Sequence, residues 1–183
     1  MSRLQDPRCG LREVPGEGFH LMYRSSKTYG HEIGLSAAFR QWRAQSHCRL
    51  IHGYALSVHL EFEADELDER NWVVDFGSLK SFKAQLEATF DHKLLVAADD
   101  PMLPELLKLD SEGVALKVAE VVVVPATGCE AFAEMIFEAA DIWLEDNGYK
   151  PRVRMHHVTV REHGANSATY SRPTTYTNLE SRE

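Results

Sequence analysis

Residues 52–63 read His52-Gly53-Tyr54-Ala55-Leu56-Ser57-Val58-His59-Leu60-Glu61-Phe62-Glu63. In an extended chain His52, Tyr54, Leu56, Val58, Leu60 and Phe62 fall on one face, while Gly53, Ala55, Ser57, His59, Glu61 and Glu63 fall on the other. The period of two predicts a strand with one side buried and one side wet. Upstream, His31, Ile33, Leu35, Ala37 and Phe39 alternate in the same way with Glu32, Gly34, Ser36 and Ala38, which predicts a strand from His31 to Phe39. Arg40 to Ile51, rich in Arg and polar groups, is then the loop joining the two strands.

Downstream the period changes. Leu79, Phe82, Leu86 and Phe90 recur at helical spacing, with Asp75 or Ser78 available as N-cap and an end near Asp91. A second helix carries Phe132, Ile136, Phe137, Ala140, Trp143 and Leu144 on one face. It is expected to begin at the capping-box pattern Thr127-Gly128-Cys129-Glu130 and to stop at Asn147-Gly148. Runs rich in β-branched residues at Leu116–Val124 and Arg152–Glu162 predict two further strands. The order strand, strand, helix, strand, helix, strand points to an α+β fold: a four-stranded antiparallel sheet with two helices on one face. Such a sheet has two edges and an uncovered face, which favours closure of several copies into a ring. Residues 1–28 and 171–183 lack a sustained period and are expected to be a peripheral N-terminal extension and a polar tail, leaving 29–170 as one domain.

The 183 residues carry 20 Lys and Arg against 28 Asp and Glu, a net charge of −8 that repels nucleic-acid phosphates. The longest apolar run, Val121 to Val124, is far short of the ~20 residues that cross a bilayer. The N-terminus lacks the apolar segment of a secretion signal, and Cys9, Cys48 and Cys129 are odd in number and widely spaced. These features predict a cytoplasmic protein with reduced thiols and no membrane or nucleic-acid partner.

Four places could carry chemistry. Cys48, between His47 and Arg49, is either a small apolar filler or a thiol whose pKa neighbouring cations lower, suited to act as a base or nucleophile. Asp91-His92 follows a helix; the histidine either complements the helix dipole or is oriented by the carboxylate for proton transfer. Glu162 is either a solvated strand-end charge or a carboxylate accepting two N–H donors from the amidine-like edge of a pterin or guanine ring. His52 is either a hydrogen-bonded core histidine or a metal ligand.

The order of these pieces resembles the 6-pyruvoyltetrahydropterin synthase and 6-carboxytetrahydropterin synthase family. The resemblance runs from His31 to Tyr170. It is carried by Leu35-Ser36-Ala37-Ala38, by Cys48 with His52-Gly53, by Val74-Asp75-Phe76-Gly77-Ser78-Leu79-Lys80, by Phe90-Asp91-His92, and by Val160-Arg161-Glu162 with Ala168-Thr169-Tyr170. It implies the tunnel fold, in which subunits assemble into a barrel, here a homo-oligomer expected to be a hexamer, with active sites between subunits. It also implies a pterin substrate of the 7,8-dihydroneopterin triphosphate type. Matched residue by residue, Cys48 takes the place of the catalytic base, Asp91 and His92 that of the acid/base pair, and Glu162 that of the pterin anchor.

The resemblance implies zinc held by three histidines, of which His52 is one. Phe39 and Tyr54 stand at the other two positions. A phenyl ring cannot bind zinc and a phenol binds poorly unless ionised, so one ordinary ligand of three remains and the usual zinc site is expected to be absent. Retention of Cys48, Asp91, His92 and Glu162 favours retained pterin chemistry in an altered site, and the Cys48 segment and compact core resemble the 6-carboxytetrahydropterin synthase branch, a lyase that feeds 7-deazaguanine and queuosine synthesis. The alternatives are 6-pyruvoyltetrahydropterin synthase activity, or a non-catalytic pterin-binding or assembly protein.

Overall fold

A computed structural model describes residues 22–110 and 117–172. Its spine is the strand predicted over 52–63, observed as β3 (His52–Ala64). Leu56, Val58, Leu60, Phe62 and Ala64 are buried along its apolar face, as the alternation requires.

The remaining elements are β1 (Tyr23–Tyr29), β2 (Leu35–Phe39), α1 (Lys80–Phe90), β4 (Lys93–Ala97), a single turn α2 (Leu103–Leu106), β5 (Val121–Val124), α3 (Cys129–Asp146), β6 (Val153–Arg161) and β7 (Ser167–Tyr170). β3 serves two groups of strands. With β1, β6 and β7 it forms a four-stranded antiparallel sheet in the order β1-β3-β6-β7, while its first half pairs antiparallel with β2. β2 continues into β4 and β5 through parallel pairs. The fold is the expected α+β class, but the sheet is mixed and larger than the four antiparallel strands predicted. α3 packs on β6 and β7, α1 on β2 and β4, and the two helices meet where Phe82 and Trp143 lie 6.3 Å apart. The opposite face of β1-β3-β6-β7 presents Arg24, Thr28, His59, Glu61, Glu63, Thr159 and Thr169, so it is polar throughout.

Several boundaries differ from expectation. The strand predicted over His31–Phe39 begins only at Leu35: His31–Ile33 is a 3-10 turn, closed by Gly34 at φ 77°, a conformation glycine adopts without strain. The chain before it, read as aperiodic, contributes β1, whose polar Arg24 to Lys27 are held extended by pairing with β3. Residues 1–21 and 173–183, parts of the proposed extension and tail, lie outside the described residues, as does Leu116 at the start of the predicted fourth strand.

Neither expected cap forms. Leu79 occupies the N-cap of α1, while Asp75 turns back to accept the Gly77 N–H and Ser78 donates to the Asp75 carbonyl. At α3 the N-cap is Gly128, and Thr127 Oγ1 donates instead to the Arg40 carbonyl, 2.7 Å away. α3 ends at Asn147-Gly148 as predicted, with Gly148 at φ 73°.

Candidate functional site

The β2/β3 register sets Phe39 opposite His52 and Ala37 opposite Tyr54, which gathers three rings at one end of the strand pair. Centroids lie 5.4 Å apart for Phe39–His52, 6.0 Å for Phe39–Tyr54 and 5.4 Å for His52–Tyr54. The positions that resemble a three-histidine metal site therefore converge, but their chemistry does not suit zinc. Phe39 is 1% exposed and packs edge-on against Phe132 of α3. His52 Nδ1 lies 2.7 Å from the Leu50 carbonyl, which leaves one free ring nitrogen. The Tyr54 hydroxyl is pushed above its ordinary pKa by desolvation, then by the Glu162 carboxylate, so the phenolate that a metal would need is disfavoured. Three positions offer one good donor.

Cys48 sits beside this cluster in a 3-10 turn, His47–Arg49. It is half-buried, its N–H donates to Ser46 Oγ at 3.3 Å, and its carbonyl accepts from the Gln41 N–H at 2.9 Å. Glu162, just beyond β6, acts electrostatically on Tyr54 and on Cys129 at the start of α3. Burial first, and the Glu162 and Glu130 carboxylates after it, push the Cys129 thiol up to about 12. Cys129 is thus a protonated filler, and Cys48 is the accessible thiol of the pair. His52 and Tyr54 are in ring contact, the Cys48 carbonyl is bonded to the chain just after β2, and His163, next to Glu162, lies 6.0 Å from Tyr54 between ring centroids.

Asp91 and His92 are held at the opposite end of β2 from the Cys48 turn. His92 has φ 56°, and its N–H donates to the Ser36 carbonyl at 2.7 Å; Asp91 Oδ1 lies 2.8 Å from His92 Nδ1 and accepts from the Ser36 N–H at 3.3 Å. The carboxylate orients the imidazole, and the pair is fixed to the start of β2. The imidazole is 84% exposed. Ser36 and Phe39 stand three strand residues apart, about 10 Å, so Asp91-His92 faces outward from one end of β2 while Cys48 flanks the other.

The loop carrying Cys48 is held by contacts that the sequence did not reveal. Arg40 makes a two-pronged pair with Asp100, Nε to Oδ2 at 2.7 Å and Nη2 to Oδ1 at 2.6 Å, and Asp100 Oδ1 also accepts from the Met102 N–H. Gln41 Nε2 donates to the Thr127 carbonyl at 2.7 Å. Asp99 accepts from Trp42 Nε1 and pairs with Arg43, which stacks over the Trp42 ring. These partners are some 56 to 86 residues apart, a separation in which no local motif exists to be read. A cavity of about 530 Å³ between β1 and residues 67–76 is lined by Tyr23, Trp72, Val73 and Phe76, and none of the expected site residues borders it.

Residues 30–173 match the family model described as 6-pyruvoyl tetrahydropterin synthase. The chain belongs to the 6-pyruvoyl tetrahydropterin synthase family. It is 27% identical over 154 residues to the 6-carboxy-5,6,7,8-tetrahydropterin synthase of Aquifex aeolicus, covering 84% of this chain and 91% of that one. A 69-residue match to the enzyme of the same name from Rickettsia bellii is 32% identical, covering 37% of this chain and 50% of that one. Among solved structures, an uncharacterized protein of Wolinella succinogenes superposes with a TM-score of 0.71 at 21% identity, covering 84% of this chain and 99% of its own. The 6-pyruvoyl tetrahydropterin synthase of Plasmodium falciparum gives 0.59 at 14% identity, covering 82% and 98%. These likenesses place the chain in the family's tunnel fold. Among the described residues no helix of this family member is long and apolar enough to cross a membrane.

Proposed function

We propose that the protein is a pterin lyase of the 6-carboxytetrahydropterin synthase type, acting on 7,8-dihydroneopterin triphosphate in the cytoplasm and serving 7-deazaguanine and queuosine synthesis. The observation that supports the proposal is the β2/β3 register, which sets His52 and Tyr54 together at the start of β3 next to the Cys48 turn, in a chain that aligns with 91% of the Aquifex aeolicus synthase. In this reading the Glu162 carboxylate accepts two N–H donors from the amidine edge of the pterin and fixes the ring's register. Cys48, between His47 and Arg49, removes a carbon-bound proton from the side chain. Asp91-His92 of a neighbouring copy returns or relays a proton, because the pair points away from Cys48 of its own chain. The site then forms only in a homo-oligomer, proposed to be a hexamer. The Phe39, His52 and Tyr54 set does not fit zinc, so in this reading the oxyanion produced by proton loss is stabilised by hydrogen bonds, with Tyr54 and Arg49 as the proposed donors.

The experiment is product identification by mass spectrometry, with Cys48→Ala and His92→Ala as controls. Each variant alone should lose turnover while keeping the oligomer. Co-assembling the two at equal concentration should restore roughly a quarter of wild-type activity if the site spans two copies. Undiminished turnover by either variant alone would overturn the assignment. A second reading, pterin binding without conversion, is favoured by Phe39 and Tyr54 in the metal positions, and is accepted if the wild type binds pterin but releases no product.

A further inference from the structure

The polar face of the antiparallel sheet holds a group of side chains on the other side of β3 from Tyr54. His59 and Tyr54 are five strand residues apart, about 16 Å. His59 and Glu61 project from β3 on this face, and β6 pairs His157 directly with Glu61. The register slips between Glu61 and Phe62, leaving His156 as an extra residue in β6. Strict alternation would send His156 and His157 to opposite faces; the bulge lets both face Glu61, His157 Nδ1 at 3.9 Å and His156 Nε2 at 3.7 Å from Oε1.

We propose that His59, Glu61 and His157 bind a divalent ion of the zinc class on this face. One ligand atom from each residue lies within 4.8 Å of the others, against about 3.4 Å for donors sharing a tetrahedral ion at 2.0–2.1 Å, so a small rotation of each side chain closes the site. Two imidazoles and one carboxylate are a donor set that suits zinc and its borderline neighbours. His59 is already oriented: its Nδ1 lies 2.8 Å from Thr28 Oγ1 on β1, which leaves Nε2 for the ion, the arrangement usual for ligating histidines. The His59 and His157 rings lie 5.7 Å apart and only 33° from parallel.

Glu63, two residues along the same face, is 3% exposed at its side chain, and its Oε2 makes no hydrogen bond among the described residues although His156 Nδ1 lies 3.1 Å away. The cations facing this acidic pair are Arg24, 3.6 Å from Glu61 and 3.7 Å from Glu63, and Arg154, 3.5 Å from Glu63. An ion at Glu61 frees Arg24 to turn fully to Glu63. The face is three-quarters or more withdrawn from solvent at Glu61 and His157, which limits competition from water.

The test uses full-length, chelator-treated protein titrated with Co²⁺ and followed by its visible absorption, with Zn²⁺ added in competition. The wild type should take up one ion per chain at this site with a tetrahedral-type spectrum that zinc bleaches. Glu61→Gln, which preserves volume, and His157→Ala should each weaken uptake at least tenfold, and His59→Asn serves if His157→Ala does not fold. His52→Ala should leave the titration unchanged. Failure of the wild type to bind Co²⁺, or uptake abolished by His52→Ala and untouched by Glu61→Gln, would overturn the proposal.

Discussion

Replacing Asp100 with Asn tests how the Cys48 loop is held. The Asp100 side chain is 1% exposed and Arg40 23%. Asp100→Asn keeps the shape but removes the charge, turns one acceptor into a donor, and leaves the guanidinium without a counterion. Breaking a fully buried pair by neutralising one partner costs about 3–5 kcal/mol; because Arg40 reaches solvent at its rim, about 2–3 kcal/mol is expected here. With a urea slope of about 2–3 kcal/mol/M for a chain of this size, the midpoint should fall by about 1 M at fixed protein concentration. The pH dependence is set by Arg40, whose hydrogen bond holds the Asp100 carboxyl below its ordinary value. A depressed folded pKa contributes stability that is full above the unfolded value near 3.9 and is lost as pH falls through the lower folded one. The difference between wild type and Asp100→Asn should therefore be full at pH 6–7 and shrink below about pH 4. Arg40 also donates from Nη1 to the Arg49 carbonyl, so releasing it should speed the reaction of Cys48 with a disulfide reagent. Equal urea midpoints at neutral pH, to within about 0.2 M, would refute the argument that this pair anchors the loop.

Two further outcomes follow from the same region. Gly128 has φ 111°, and a Cβ there would lie 2.0 Å from Gln41 Nε2; Gly128→Ala should cost about 1–3 kcal/mol in thermal or urea unfolding and displace Gln41 from the Thr127 carbonyl. Alkylation at pH 8 followed by peptide mapping should label Cys48 well before Cys129, whose thiol is pushed up to about 12, and equal labelling of the two in folded protein would contradict the burial assigned to Cys129.

The parts of the fold legible in the sequence are those whose pattern is local. β3 and α3 have clean periods of two and 3.6, and the structure places them within a residue or two of expectation. β1 was illegible because Arg24 to Lys27 are polar and become a strand only against β3. β4 was illegible for the opposite reason: Leu94 to Ala97 lie between two parallel neighbours and are all buried, so they show no alternation to detect. The candidate site divides similarly. Cys48, His52, Asp91, His92 and Glu162 could be named from their order along the chain, and Phe39 and Tyr54 from their departure from it. The Arg40–Asp100 and Gln41–Thr127 contacts could not, since nothing local links residues 60 and 86 positions apart. His157 was hidden by the bulge, which breaks the alternation by which it would have been read.

β3 uses its two sides at different points along its length, with Tyr54 turned toward the Cys48 loop and His59 and Glu61 turned the other way. An insertion or deletion of one residue between Ala55 and Val58 would rotate everything beyond it by half a turn, burying charge and exposing leucine and phenylalanine at once. Gain and loss of residues in this lineage should therefore be confined to the connections, and a relative whose β3 differs in length by an odd number should carry a compensating bulge.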